Sequence, residues 1–352
     1  MPQHHLYQYQ QDFRLESGAI LPGFQLTYTT FGQLNPQHDN VVWVCHALTG
    51  NSDFTDWWCG LIGEGKLYDP ADWFIICANT LGGCYGSTGP LSVNPATGKP
   101  FYHDFPEVTN RDIVAAFDLL RQELGLEEIH TVLGGSLGGQ HALEWCIQRP
   151  TVFKRLIHVA SNARHSPWGI AFNESQRMAI RLDPSWATDT ETAGLEGMKT
   201  ARAIAMLSYR HYASYDRTQQ EPGNSITDNF RASSYQVYQG EKLAKRFNAY
   251  TYWILSKAMD SHNVARDRGS IEKALSQIKA KALFIGVDTD VLFPVAEQQF
   301  LHEHVPGSSF GLIHSDFGHD GFLVETDQIT NTIRNFYEAE PVVALLCDDK
   351  ER

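Results

Sequence analysis

An α/β fold, with a mostly parallel central sheet flanked by helices and a helical lid inserted into it, is predicted for this 352-residue chain by three observations. Short apolar runs bounded by turn residues recur along the sequence, and amphipathic helical patterns lie between them. One long stretch, residues 162–280, loses the strand-type runs altogether. A content of 42% hydrophobic and 20% charged residues is enough for one large α/β domain or two ordinary ones.

Residues 1–11 are rich in Gln and His and lack the apolar stretch of a secretory signal, and no run reaches the roughly 18 apolar residues of a spanning helix. A cytoplasmic protein without a membrane partner is expected. The first strand-type run is Val41–Cys45, followed by Phe74–Ala78. A helix follows Asp112, where Ile113, Phe117, Leu120 and Leu124 recur at spacings of four, three and four and so form one apolar stripe. Further strand runs lie at 131–133, 156–160, 282–287 and 310–313; they are short and apolar on both faces, as buried parallel strands are. Between them, Met178, Ile180 and Arg181, then 198–212, then 235–259, read as helices rich in aromatic and long side chains. The division expected is a core of 1–162 with 281–352 and a lid of 163–280, ending in a solvated charged tail at 348–352.

Lys and Arg number 28 against 41 Asp and Glu, a net charge of −13, so no global positive field exists to hold nucleic acid. The six cysteines include no CxxC pair, and Cys45, Cys77 and Cys146 lie inside apolar runs, so reduced structural thiols are expected.

The strongest chemical signal is Gly134-Gly135-Ser136-Leu137-Gly138-Gly139, a GxSxG between the strand at 131–133 and a helical stretch at 140–149. This pattern is a nucleophile elbow, in which a serine occupies a strained turn and glycines admit the close approach of strand and helix. A phosphate-binding turn would instead show GxGxxG or end in GK[ST], and neither is present. A serine hydroxyl needs a base to take its proton and a third group to orient that base. The strand at 282–287 runs into Asp288-Thr289-Asp290, which makes Asp290 the candidate acid and Asp288 its alternative. His319, in the loop Gly318-His319-Asp320-Gly321 after the last strand, is the candidate base, and the order Ser, Asp, His is that of α/β hydrolases. His4, His5, His38, His130, His302 and His304 carry no such context and read as surface or packed imidazoles, as does His46. Acyl transfer also needs backbone donors for the oxyanion: Leu137, following the nucleophile, and Leu48, in the loop after the run Val41–Cys45. No metal is required.

In order, Cys45-His46-Ala47-Leu48-Thr49-Gly50, Leu81-Gly82-Gly83-Cys84-Tyr85-Gly86-Ser87-Thr88-Gly89-Pro90, the elbow and Gly318-His319-Asp320 resemble the motifs of the homoserine O-acetyltransferase family over essentially the whole chain. Members commonly read GTTGP where this sequence has Gly86-Ser87-Thr88-Gly89-Pro90, a change that keeps the hydroxyls. The resemblance implies an α/β-hydrolase core, a helical lid, a homodimer joined through lid helices, and transfer of acetyl from acetyl-CoA to homoserine with no permanently bound cofactor. It further implies a lid arginine for the amino acid carboxylate, matched by Arg202 with Tyr209 nearby and Arg210 as competitor, and Asp320 for the ammonium. One fixed cation and one fixed anion are what a zwitterionic acceptor requires. A succinyl donor, a serine acceptor, an esterase on the same scaffold and a non-catalytic binding protein are the competing expectations.

Overall fold

The structure, a computed structural model, describes residues 1–339, so the charged tail at 348–352 and Cys347 lie outside the described residues. Eight strands build the main sheet: β1 (Gln3–Tyr9), β2 (Phe24–Phe31), β3 (Val41–Cys45), β4 (Phe74–Ala78), β5 (Ile129–Gly135), β6 (Phe153–Val159), β7 (Lys281–Val287) and β8 (Ser309–Ile313). Their spatial order is β1-β2-β4-β3-β5-β6-β7-β8; β1 with β2 and β2 with β4 pair antiparallel, and the rest are parallel. The register sets Cys45 opposite Gly134 and Gly135 opposite Val159, so the carboxyl ends of the central strands meet at one edge.

Period-two alternation explains the two apolar layers. Trp43, Val132, Leu156 and Phe284 face one cluster, while Val42, Val44, Leu133, Ile157 and Ile285 face the other. Helices α1 (Asn110–Glu123) and α2 (Leu137–Gln148) cover the first layer, where the Trp43 and Trp145 rings meet edge to face at 4.9 Å. The expected stripe of α1 buries Ile113, Phe117 and Leu120, while Leu124 forms its C-cap. A reciprocal box between Thr109 and Asp112 starts the helix.

From β6 to β7 the chain is helical: α3 (Pro167–Leu182), α4 (Leu195–Tyr209), α5 (Tyr212–Gln219), α6 (Arg231–Ala244) and α7 (Ala249–Asp260). The expected helix at 235–259 is two helices, because Asn248 turns out of α6 and its side chain accepts the Thr251 N–H to begin α7. The helix at 198–212 likewise stops at Tyr209, and extended Arg210 leads into α5. Ile180, Met198, Ala201 and Leu243 join the same apolar cluster as the core strands, so the insertion shares a core with the sheet. Two sheet helices follow: α8 (Val295–His304) and α9 (Thr326–Glu338), the latter sealing the second layer with Ile329, Ile333 and Phe336.

Strands β1 and β2 are not predicted by the sequence. β1 is a mostly polar edge strand whose stripe of His5, Tyr7 and Tyr9 alternates with exposed residues, and Tyr9 packs on Phe24 of β2 at 5.2 Å. The described cysteines are all free, with Cys45, Cys77 and Cys146 buried as expected.

Candidate active site

The edge where β3, β5 and β7 end carries the elbow. Ser136, between β5 and α2, has φ 56° and ψ −126°, a conformation that L side chains rarely adopt. A Cβ on Gly138 would stand 2.1 Å from the Cys45 carbonyl oxygen, which is why α2 needs glycine where it crosses the end of β3. The Ser136 hydroxyl lies 2.9 Å from Nε2 of His319, and Nδ1 of His319 lies 2.6 Å from Oδ2 of Asp290. A carboxylate only accepts, so Nδ1–H donates to Asp290 and Nε2 is left to accept the serine O–H. All three residues are buried. The imidazole is packed by Phe293 and Phe322, each at 5.2 Å, and by Tyr209 at 5.7 Å.

The acidic run after β7 divides its work. Asp290 accepts the Leu292 and Phe293 amides on Oδ1, which fixes the carboxylate and leaves Oδ2 for the histidine. Asp288 instead accepts the Ser315 amide and contacts His314, and the Thr289 hydroxyl accepts the Gly318 amide. Asp288 therefore fastens the histidine loop and does not meet the imidazole of His319.

Leu48 is buried in the loop after β3, and Leu137 is the first residue of α2. Neither amide donates a hydrogen bond to the protein among the described residues, as an oxyanion donor requires. His46, which the sequence marks only as packing, has a fuller part. Its Nδ1–H donates to the Ala47 carbonyl at 2.9 Å and its Nε2 accepts the Thr80 amide at 3.2 Å, tying the Leu48 loop to the loop after β4. Burial pushes its pKa down to about 4, so it stays a neutral bracket. The hydroxyls of Ser87 and Thr88 accept the Thr27 and Gln25 amides of β2, a structural use of that motif.

From the insertion, Arg202 and Arg210 both come within electrostatic reach of Asp320, beside His319. The Arg202 guanidinium lies 5.2 Å over the Tyr209 ring, its Nε is buried without a hydrogen-bond partner, and it makes no ion pair among the described residues. Arg210 Nε is 2.9 Å from Asp320 Oδ2. Burial pushes the Asp320 carboxyl above the usual range, opposed by the charges of Arg210, Arg202 and His319. The structure thus brings together Ser136, Asp290, His319, Tyr209, Arg202 and Asp320. The engagement of Arg210 with Asp320 is absent from the sequence reading, since nothing local marks it.

Residues 40–326 match a family model described as the alpha/beta hydrolase fold. A homoserine O-acetyltransferase from Cyclobacterium marinum is 55% identical over 328 residues, covering 93% of each chain. Among solved structures, a homoserine O-acetyltransferase from Bacillus anthracis superposes with TM-score 0.88 at 26% identity, covering 96% of this chain and 97% of that one. A crystallised esterase matches with the same TM-score and identity, over 96% of this chain and 100% of its own. The motifs, their meeting at one sheet edge and a majority-identical relative along nearly the full length lead to one assignment: this chain belongs to the homoserine O-acetyltransferase family on the α/β-hydrolase fold.

Proposed function

We propose that the protein moves the acetyl group of acetyl-CoA to the side-chain hydroxyl of L-homoserine, a step of methionine biosynthesis, through an acyl-enzyme on Ser136. His319 takes the serine proton as Ser136 Oγ bonds to the thioester carbon. The C–S bond then breaks, and the sulfur leaves as CoA thiol with the proton from His319. Homoserine next gives its hydroxyl proton to His319 while its oxygen bonds to the acyl carbon; the bond to Ser136 breaks and the serine recovers the proton. Asp290 orients the imidazole and stabilises it when charged. The Leu48 and Leu137 amides take the developing oxyanion, each worth about 3 kcal/mol of barrier.

The observation that carries transfer over hydrolysis is the half-buried Arg202 guanidinium, which makes no ion pair among the described residues and keeps its Nε buried without a hydrogen-bond partner, within electrostatic reach of Asp320 beside the base. Arg202 with Tyr209 suits the acceptor carboxylate and Asp320 its ammonium, and water needs neither. The helical segment 163–280 acts as a lid that limits water at the acyl-enzyme. Leu182, Leu207, Val237 and Tyr238 on its helices are exposed apolar residues, which supports a homodimer through the lid. No described helix is long and apolar enough to cross a membrane, in keeping with a cytoplasmic site of action.

The esterase reading stands second because an esterase superposes as well as a transferase does. A matrix of acetyl-CoA or succinyl-CoA against homoserine or serine, followed by thiol release, tests the choice. Release that depends on homoserine and favours acetyl-CoA is expected; equal release without any acceptor would establish a hydrolase.

A further inference from the structure

Arg210 follows α4 in an extended conformation, and its backbone packs against the histidine loop. A Cβ on Gly318, which has φ 65°, would stand 2.8 Å from the His211 nitrogen and 3.0 Å from the Arg210 carbonyl carbon. The end of α4 and the loop that carries His319 and Asp320 are therefore seated on one another. The guanidinium Nε lies 2.9 Å from Asp320 Oδ2, an ion pair whose angle does not make a hydrogen bond, and the group lies 5.5 Å over the Phe317 ring. Arg210 also lines a mostly apolar cavity of about 220 Å³ with Tyr215, Tyr235 and Phe317, so the Asp320 carboxylate is the charged group that meets it. Asp320 Oδ1 accepts no hydrogen bond among the described residues.

We propose that Arg210 is a positioning residue for the acceptor: by holding one carboxylate oxygen of Asp320, it keeps that group ionised and aimed, with the other oxygen left for the acceptor's ammonium. The proposal rests on the reading of Asp320 as the ammonium site. A carboxylate surrounded by protein is costly to charge, and an adjacent guanidinium offsets that cost. The groups that face Asp320 are Arg210, Arg202, Tyr209 and Tyr215 from the insertion, with His319 beside it and Asp290 beyond. Of these, Arg210 is the one in direct ion-pair contact, and its charge is the leading influence against the upward push of burial. Arg202 is left as the unpaired cation for a carboxylate, so the two arginines have different tasks.

The test compares Arg210→Met and Arg210→Lys with the parent enzyme in each half-reaction. For Arg210→Met, homoserine KM is expected to rise about tenfold or more while first-turnover release of CoA from acetyl-CoA falls by no more than about threefold. The acid limb of kcat/KM for homoserine is expected to move up by about one pH unit, since Asp320 then keeps its proton to higher pH. Arg210→Lys, which restores the charge, should recover part of both effects; its recovery also separates a lost charge from a damaged fold. An unchanged homoserine KM and acid limb in Arg210→Met, or a parallel fall of both half-reactions that Arg210→Lys does not repair, would overturn the proposal. Asp320→Asn is the control on the underlying reading. Should that variant keep the parent KM for homoserine, the ammonium site itself is wrong and the proposal falls with it, an outcome distinct from failure at Arg210 alone.

Discussion

Ser136 is held at φ 56°, a conformation that costs on the order of 1–3 kcal/mol outside glycine and persists only because the surrounding strand and helix impose it. The return is a hydroxyl 2.9 Å from Nε2 of His319. Ser136→Ala should lower homoserine acetylation by about 10³-fold or more and remove the acetyl adduct that intact-protein mass spectrometry detects on the parent enzyme. The two aspartates after β7 give a sharper comparison. Asp290→Asn should cut kcat by about 10³ to 10⁴, because an amide no longer requires the Nδ1–H tautomer. Asp288→Asn touches only the loop that carries His319, so a loss of about tenfold or less is expected in the same steady-state assay. Sequence order alone leaves these two residues open, since both follow one strand; the choice lies in which carboxylate has its other oxygen occupied by the Leu292 and Phe293 amides.

Among the elements, the elbow is the least tolerant. An alanine at Gly138 would drive its Cβ into the Cys45 carbonyl and force β3 and α2 apart, a backbone clash with no flexible side chain to relieve it. Gly138→Ala should therefore lose about 4 kcal/mol or more of stability, or fail to yield soluble protein, as read by chemical unfolding. The cap of α7 is a milder case: Asn248→Ala removes the acceptor of the Thr251 amide and should cost about 1 kcal/mol. The same cap accounts for a boundary that periodicity misses, because only Lys245, Arg246, Phe247 and Asn248 separate two aromatic-rich helical patterns that the sequence joins into one. β1 escapes for the opposite reason. Its stripe of His5, Tyr7 and Tyr9 has the right period but little apolar content, as an exposed edge strand allows.

The whole molecule carries a consequence of its buried histidines. Burial pushes His46 down to about 4, and His158, His165 and His262 to about 3. An unfolded chain protonates these groups as pH falls through about 6.5, whereas the folded protein refuses the protons until about pH 3–4. More protons bind to the unfolded state across that window, so stability is full above pH 6.5 and declines as pH drops, by up to about 1.4 kcal/mol per pH unit per histidine. Urea midpoints should be level from pH 7 to 8 and fall steeply from 6.5 to 4.5, and His158→Gln should flatten the slope. Association belongs to this scale too. If the proposed dimer holds, native mass measurement should give a dimer, and Leu207→Asp combined with Val237→Asp on the exposed face of the inserted helices should give monomer with an intact triad.

By itself the sequence determined the strand-helix alternation, the elbow, the order of serine, acid and histidine, and the family motifs, because each is written in local pattern: residue period, turn-forming glycines, and a nucleophile between a strand and a helix. The tertiary structure decided which aspartate meets His319, that His46 ties two loops, that Arg210 is committed to Asp320 while Arg202 is not, and where the insertion helices break. The contacts of His319, His46 and Arg210 depend on through-space distances between groups far apart along the chain, which sheet register and helix packing fix and local pattern does not encode.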